Sequence, residues 1–350
     1  MINDIKYSLL VIIMSKKRPF VSVCTPTFNR RPFIEMMFRC FRNQTYPKKQ
    51  MEWIIVDDGT DKIQDLVEKS GIEQIKYINV QEKMVLGAKR NLMHKNAKGD
   101  ILVYMDDDDY YPPERVEHAV ETLLSNPQAL CAGSSEIYIY FKHIHQMFQS
   151  GPFGPTHATA GTFAFRKELL NYTQYDENAA LAEERAFLKQ YTIPFVQLNP
   201  MKTILVFSHH HNTFDKKNML DSKHPEYFKE SPRKVQDFIK NKSEQPIIQF
   251  FLKDIDEMLK KYQPGLPENK PDVLKQMKEI DEERKNQENR HSNGFRIMVE
   301  TPGKEKRPMN PDEIVYTLSK QQEEIKRLTG RVQDLEGLLI ESQKIIQHLR

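Results

Sequence analysis

Cysteine is scarce: Cys24, Cys40 and Cys131 are the only three in 350 residues. Their odd number and wide separation exclude a disulfide framework, show no paired zinc spacing, and fit a reducing compartment. An apolar run long enough to cross a bilayer is missing from the N-terminus, where Tyr7–Met14 holds eight residues against the roughly 20 that a spanning helix needs. A signal peptide is disfavoured there, because Lys16, Lys17 and Arg18 follow the apolar run and no small-residue cleavage site appears. Residues 1–18 read as a leader of uncertain role; a dispensable stretch ahead of a true start at Met14 is favoured, with an extra strand or a membrane-surface anchor as the other readings. Charge of one sign is lacking as well. Lys and Arg number 52 against 49 Asp and Glu, for a net +3, and no basic stripe interleaved with aromatics stands out, which argues against a nucleic-acid module. Hydrophobic residues make up 39%, low enough that part of the chain is expected to have no packed core.

What is present centres on Tyr104-Met105-Asp106-Asp107-Asp108-Asp109-Tyr110-Tyr111-Pro112-Pro113. The apolar run Ile101–Met105 reads as a short buried strand, and Pro112 and Pro113 open a helix. The acids therefore fall in a tight loop at the carboxyl end of a strand, where open α/β sheets bind ligands. Adjacent carboxylates repel by roughly 4 kcal/mol per close pair at an effective dielectric near 20. A divalent cation removes that cost, and Mg²⁺ typically takes one or two carboxylates together with phosphate oxygens.

Phe20–Cys24, Trp53–Val56, Ile75–Ile78 and Ile101–Met105 read as strands alternating with helices, which predicts a mostly parallel sheet with right-handed crossovers. Three strands end in polar clusters, Thr25–Asn29, Asp57–Thr60 and Asp106–Asp109. Parallel strands end on one edge, so these clusters are expected to converge. Short β segments follow at 129–134, 136–141 and 145–148, then a turn-rich loop at 150–155, a helix over 179–190, and a strand at 203–207 running into His209-His210-His211.

The predicted organisation is a main domain at 19–230, split into a nucleotide-binding half (19–125) and an acceptor half (126–230). A helical extension (231–281), a charged linker (282–311) and a coiled coil (312–350) complete it. In the last segment Ile325, Val332 and Ile346 share one heptad position and Leu328, Leu335 and Leu349 the other. That pattern favours a parallel two-stranded coil and hence a homodimer.

Val23–Arg30, Ile54–Thr60, Gly87-Ala88-Lys89-Arg90-Asn91 and Met105–Asp109 together resemble family 2 glycosyltransferases of the GT-A fold. The resemblance covers roughly 19 to 213. It implies an inverting enzyme that moves a sugar from a nucleotide-sugar, a UDP-sugar favoured, to an acceptor hydroxyl with Mn²⁺ or Mg²⁺ as cofactor. By resemblance Thr27 and Asp57 lie against the nucleobase, and Arg90 faces the diphosphate. Asp106-Asp107-Asp108 stands for the family's Asp-any-Asp signature, with Asp106 towards the ribose and Asp108 on the metal, in a register that four consecutive aspartates allow to slide by one. The family's Glu-Asp pair is represented by Glu183-Glu184, a departure at the second position; Glu184 is the expected general base and Glu183 the runner-up. His211 is the expected further metal ligand, and Gly161 and Thr162 are expected to line the acceptor side.

Two other readings compete. A sugar nucleotidyltransferase is expected to carry a glycine-rich basic loop after the first strand, where this chain has Thr25-Pro26-Thr27-Phe28-Asn29. A catalytically inactive scaffold working through its coiled coil is the other. Composition points to a cytoplasmic protein, peripheral to a membrane at most. The acceptor, whether glycan, protein or lipid, is not legible.

Overall fold

Four apolar runs make the parallel heart of the sheet: β1 (Val21–Thr27), β2 (Met51–Asp57), β3 (Ile75–Asn79) and β4 (Ile101–Tyr104). Val21 lies opposite both Met51 and Ile101, so β1 is flanked by β2 and β4 in parallel register. The intervening helices are α1 (Ile34–Asn43), α2 (Gln64–Ser70), α3 (Leu86–Asn96) and α4 (Arg115–Ser125). α1 buries Ile34, Met37, Phe38 and Phe41, a spacing that gathers them on one helical face. Phe41 stacks on Trp53 at 4.3 Å and Phe38 meets it edge-on. The indole Nε1 donates to Thr25 Oγ1 at 2.9 Å, and that hydroxyl donates to Met105 O at 2.6 Å. Core packing is thus linked by hydrogen bonds to the residue preceding the aspartates.

The computed structural model describes residues 18–181, 183–212, 216–221, 225–292, 298–299 and 307–348; the expected leader lies outside them except for Arg18. Within that span the sheet continues through β5 (Cys131–Gly133), β8 (Ala164–Arg166) and β9 (Phe195–Gln197), in the order β3-β2-β1-β4-β8-β5-β9. Only β8 runs antiparallel to its neighbours. A second sheet, ordered β10-β6-β7-β11, is built from β6 (Ile137–Phe141), β7 (Gln146–Ser150), β10 (Leu205–Ser208) and β11 (Phe228–Ser231). A mixed α/β fold with a mostly parallel sheet flanked by helices was the expected class, and it is the one found.

Two expectations need correction. The helix expected over 179–190 shrinks to one turn, α5 (Glu184–Phe187), because Lys189, Gln190 and Tyr191 all take positive φ and end it. The 231–281 extension starts at Ser231, the last residue of β11. It then forms α6 (Val235–Phe238), α7 (Gln245–Gln249), a π-helical turn and α8 (Ile255–Lys260), which buries Ile255 and Leu259. The linker expected from 282 is helical at its start, since α9 runs Pro271–Ser292; 293–297 and 300–306 lie outside the described residues.

One compact unit ends at Lys278, and a second comprises Glu279–Arg350. The second is dominated by α10 (Pro311–His348), on which Ile325, Leu328, Val332, Leu335 and Leu339 are exposed. Among the described residues no helix is long and apolar enough to cross a membrane.

Candidate active site

Of the three polar clusters expected to converge, those at 25–29 and 106–109 line one cleft, and that at 57–60 does not. Pro26, Phe28, Arg30, Lys89, Arg90 and Asp106–Asp108 line one cleft at the carboxyl edge of the sheet. A second hollow, lined among others by Arg90, Asp106, Gly161, Thr162, Glu183 and Glu184, adjoins it. Asp106, Asp108 and Arg90 belong to both.

The loop after β2 is a scaffold for this edge. Asp57 is fully buried and accepts from Gly59 N at 2.9 Å, Ile63 N at 3.0 Å and the Tyr77 hydroxyl at 2.7 Å. Asp58 pairs with Lys89, whose ammonium also donates to Thr27 O at 3.2 Å. The carboxylate of Asp57 therefore holds the loop in shape, while Thr27 closes the end of β1 beside it.

Within the aspartate run, each carboxylate has its own surroundings. Asp106 is positioned by Tyr111, whose hydroxyl accepts from Asp106 N at 2.7 Å and donates to Gly161 O at 3.2 Å. Burial raises the Asp106 carboxyl above its ordinary range, opposed by Arg90. Burial and the neighbouring Asp108 push Asp107 up to about 7. For Asp108 burial acts in the same direction but is outweighed by Arg30 and His209, which hold it well below the usual carboxylate range. Its Oδ2 lies 3.3 Å from Arg30 Nη2 and 3.4 Å from His209 Nε2. Asp109 turns the other way, with Oδ1 3.4 Å from Phe207 N, and burial raises it.

Of the histidines that end β10, it is His209 that meets Asp108. The expected metal ligand was His211, but β10 ends at Ser208 and the chain turns, with Asn212 N bonded to His209 O at 3.1 Å. His211 instead stacks on Tyr262 at 6.2 Å. Burial lowers both imidazoles to about 4, so both are neutral at pH 7, the form in which a histidine ligates a metal.

Arg90 is the other hub. It is buried, with its guanidinium 4.5 Å above the Tyr104 ring and Nε donating to Glu183 Oε1 at 2.9 Å. Glu183 is consumed by that pair. Glu184, the next residue, is part-exposed, and burial together with Glu183 pushes its carboxyl up to about 7. A base with a pKa near the working pH is the most effective kind. Gly161 and Thr162 line the second hollow, where the Gly161 carbonyl accepts from Tyr111 and Arg115 Nη2 donates to Thr162 O at 2.8 Å. The Thr162 hydroxyl donates to Thr159 O and accepts from Ser134 N, so its side chain is structural.

The residues fit a divalent cation bound together with a phosphate ligand. Asp106 Oδ1, Arg90 Nη1 and His209 Nδ1 are buried without a hydrogen-bond partner, which is costly unless a ligand satisfies such groups. Among the described residues no three His, Cys, Asp or Glu are grouped as a ready-made metal cage. Mg²⁺ does not require one where substrate phosphates complete its shell. Sequence reasoning passed over Arg30, Lys89, Asp58 and His209, although all four sit inside or beside the motifs it quoted.

The strand-end aspartates thus share two adjoining hollows with Arg90 and the Glu183-Glu184 pair. Residues 22–177 match the family described as glycosyl transferase family 2. TuaG of Bacillus subtilis strain 168 is 30% identical over 114 residues, covering 32% of this chain and 44% of its own length. A dolichyl N-acetyl-alpha-D-glucosaminyl phosphate 3-beta-D-2,3-diacetamido-2,3-dideoxy-beta-D-glucuronosyltransferase of Methanococcus voltae is 33% identical over 109 residues, 29% of this chain and 33% of its own. The chain thus spans less than half the length of these relatives. Among solved structures, Staphylococcus aureus TarS 1–349 superposes with a TM-score of 0.45 at 18% identity, covering 84% of this chain and 97% of that one. The mannosyltransferase PcManGT from Pyrobaculum calidifontis, solved in complex with GDP-Man and Mn²⁺, gives 0.46 at 18% identity over 56% of this chain and 59% of that one.

Proposed function

We propose that this chain is a metal-dependent, inverting glycosyltransferase that takes a nucleotide-sugar, a UDP-sugar first, and glycosylates an acceptor hydroxyl. The observation that carries the reading is the meeting of Arg90, Asp106 and Asp108 with Glu183 and Glu184 across two adjoining hollows. The nucleobase rests on the Thr27–Phe28 side, above the loop that Asp57 holds. Asp106 receives the ribose, with Asp107 beside it. Asp108, with His209 beside it and His211 behind, is the metal side, where Mn²⁺ or Mg²⁺ would neutralise charge on the diphosphate.

Glu184 accepts the proton of the acceptor hydroxyl as that oxygen bonds to the anomeric carbon. The bond from that carbon to the diphosphate oxygen breaks, and its electron pair leaves with the nucleoside diphosphate. Attack opposite the leaving group inverts the anomeric centre. Arg90 stabilises the departing charge through a planar donor fork suited to phosphate oxygens, and Glu183 keeps that fork aimed.

The acceptor approaches through the hollow at Gly161 and Thr162. The exposed seam of α10 pairs with a second copy as a coiled coil, giving a homodimer, and the protein works in the cytoplasm. Release of nucleoside diphosphate from a panel of UDP- and GDP-sugars, with and without Mn²⁺, tests the activity. Metal-dependent release that Asp108→Ala abolishes supports it, and no release from any donor refutes it.

A further inference from the structure

Beyond the family-matched span, residues 262–278 cross the donor cleft from one wall to the other. Tyr262 anchors one end by donating its hydroxyl to Asp61 Oδ2 at 2.8 Å. Asn29 Nδ2 donates to Pro264 O at 2.9 Å and Arg30 Nη1 to Gly265 O at 3.4 Å, which joins the segment to the residues that close β1. Gly265 is pressed against them: a Cβ there would lie 2.6 Å from Asn29 O and 2.7 Å from His211 Nδ1. Farther on, Asp272 pairs with Lys83, and the Gln276 side-chain oxygen accepts from Ala180 N at 2.8 Å and Leu181 N at 2.6 Å. Ala180 and Leu181 line the hollow that holds Glu184. The segment is therefore tied to the donor wall and to the loop that carries the proposed base.

Between these ties stands Lys270, 7% exposed. It lines the donor cleft together with Arg30, Arg90 and Asp106–Asp108, and its charge acts on Asp107 and Asp108. A buried ammonium is costly away from anions, and a compact one with three donors is a common phosphate ligand. The charges of Arg30 and Lys270 act on the same two aspartates, so a cation neutralising those carboxylates would leave both cations to an incoming anion.

We propose that residues 262–278 form a strap that completes the donor site, and that Lys270 on this strap binds the diphosphate of the nucleotide-sugar. The claim rests on the glycosyltransferase reading and adds to it a ligand from outside the family-matched span. Three probes separate the two: inorganic pyrophosphate, UDP and uridine, each titrated in Mg²⁺ against the full chain and its Lys270→Met and Lys270→Arg variants. Uridine lacks the phosphates and so reports whether the fold and base pocket survive. Lys270→Met is expected to weaken pyrophosphate and UDP at least tenfold and leave uridine unchanged, while Lys270→Arg stays within about threefold of wild type. UDP and pyrophosphate binding to Lys270→Met within twofold of wild type overturns the strap ligand and leaves the donor reading standing. Equal weakening of uridine also overturns it, since the loss is then structural. A wild-type chain that binds none of the three overturns both.

Discussion

Arg90 donates from Nε to Glu183 Oε1 across 2.9 Å, and the two side chains are 4% and 5% exposed. They come from elements 93 positions apart, α3 on the sheet side and the turn that starts α5 on the acceptor side. The pair therefore locks the proposed diphosphate arginine to the residue beside the proposed base, so donor and acceptor machinery share one rigid link. It also separates two successive glutamates: Glu183 is held by Arg90, and Glu184 beside it is part-exposed.

Breaking this link should be expensive. Removing one partner of a buried ion pair typically costs about 3–5 kcal/mol, whereas removing both costs less. Glu183→Ala is accordingly expected to lower the unfolding free energy by about 3 kcal/mol, and Glu183→Ala with Arg90→Met to recover part of that. Urea denaturation of the single and double variants measures both. A double variant that is less stable than Glu183→Ala would show that the pair is not the controlling contact.

Glu184→Gln removes the base and keeps the shape. Turnover should fall by roughly 10²–10⁴-fold while the affinity for nucleoside diphosphate is unchanged. Steady-state kinetics beside a binding titration separates the two quantities. A comparable loss in Glu183→Gln with little effect at Glu184 would reverse the assignment.

Glu184 also sets a pH dependence. With its carboxyl pushed up to about 7 by burial and by Glu183, the base is protonated below that pH, and the rate should rise with pH to a plateau above it. The same raised value means that the folded state prefers the protonated acid. The associated stability is fully present below the ordinary glutamate value near 4.3 and is lost as pH rises through about 7. A kcat/KM profile of wild type and Glu184→Gln checks this: the acidic limb should vanish from the variant's residual rate.

How much of this was legible in the chain depends on distance along it. Strands β1 to β4 alternate with helices, and three of them, β1, β2 and β4, run into polar clusters, so their order and common edge could be read directly. The aspartate loop followed from the strand before it and the Pro112-Pro113 helix start after it. Which histidine meets Asp108 was not legible, since strand alternation fails once the chain turns at Ser208. The helix around Glu184 was overestimated because nothing in Lys189-Gln190-Tyr191 announces positive φ. Lys270 was out of reach altogether: a lone lysine in a proline-rich stretch gives no signal, and its place at the cleft follows from contacts far along the chain, among them those of Asn29, Arg30 and Lys83 to its neighbours.

Gly161 offers a steric test. A Cβ there would sit 2.7 Å from Asp106 Oδ2, so Gly161→Ala must displace the carboxylate proposed to hold the ribose. A displacement of that kind is expected to lower turnover on the order of tenfold to a hundredfold without unfolding the domain. Unchanged kinetics would place Asp106 outside the reacting complex.

The seam of α10 predicts an oligomeric state. Ile325, Leu328, Val332 and Leu335 are 64%, 48%, 53% and 61% exposed in the single chain, and burying such residues against a second copy is what holds a coiled coil together. Sedimentation should report a dimer for the full chain and a monomer for Leu328→Asp with Leu335→Asp. A monomeric wild type removes the claim.

The most direct test of the whole account is calorimetric titration of UDP, GDP, CMP and dTDP into wild type and Asp108→Ala, each with and without Mn²⁺. Metal-dependent binding of one nucleotide, UDP first, that disappears in Asp108→Ala is the predicted result. Binding of none of the four by the wild-type protein would contradict it.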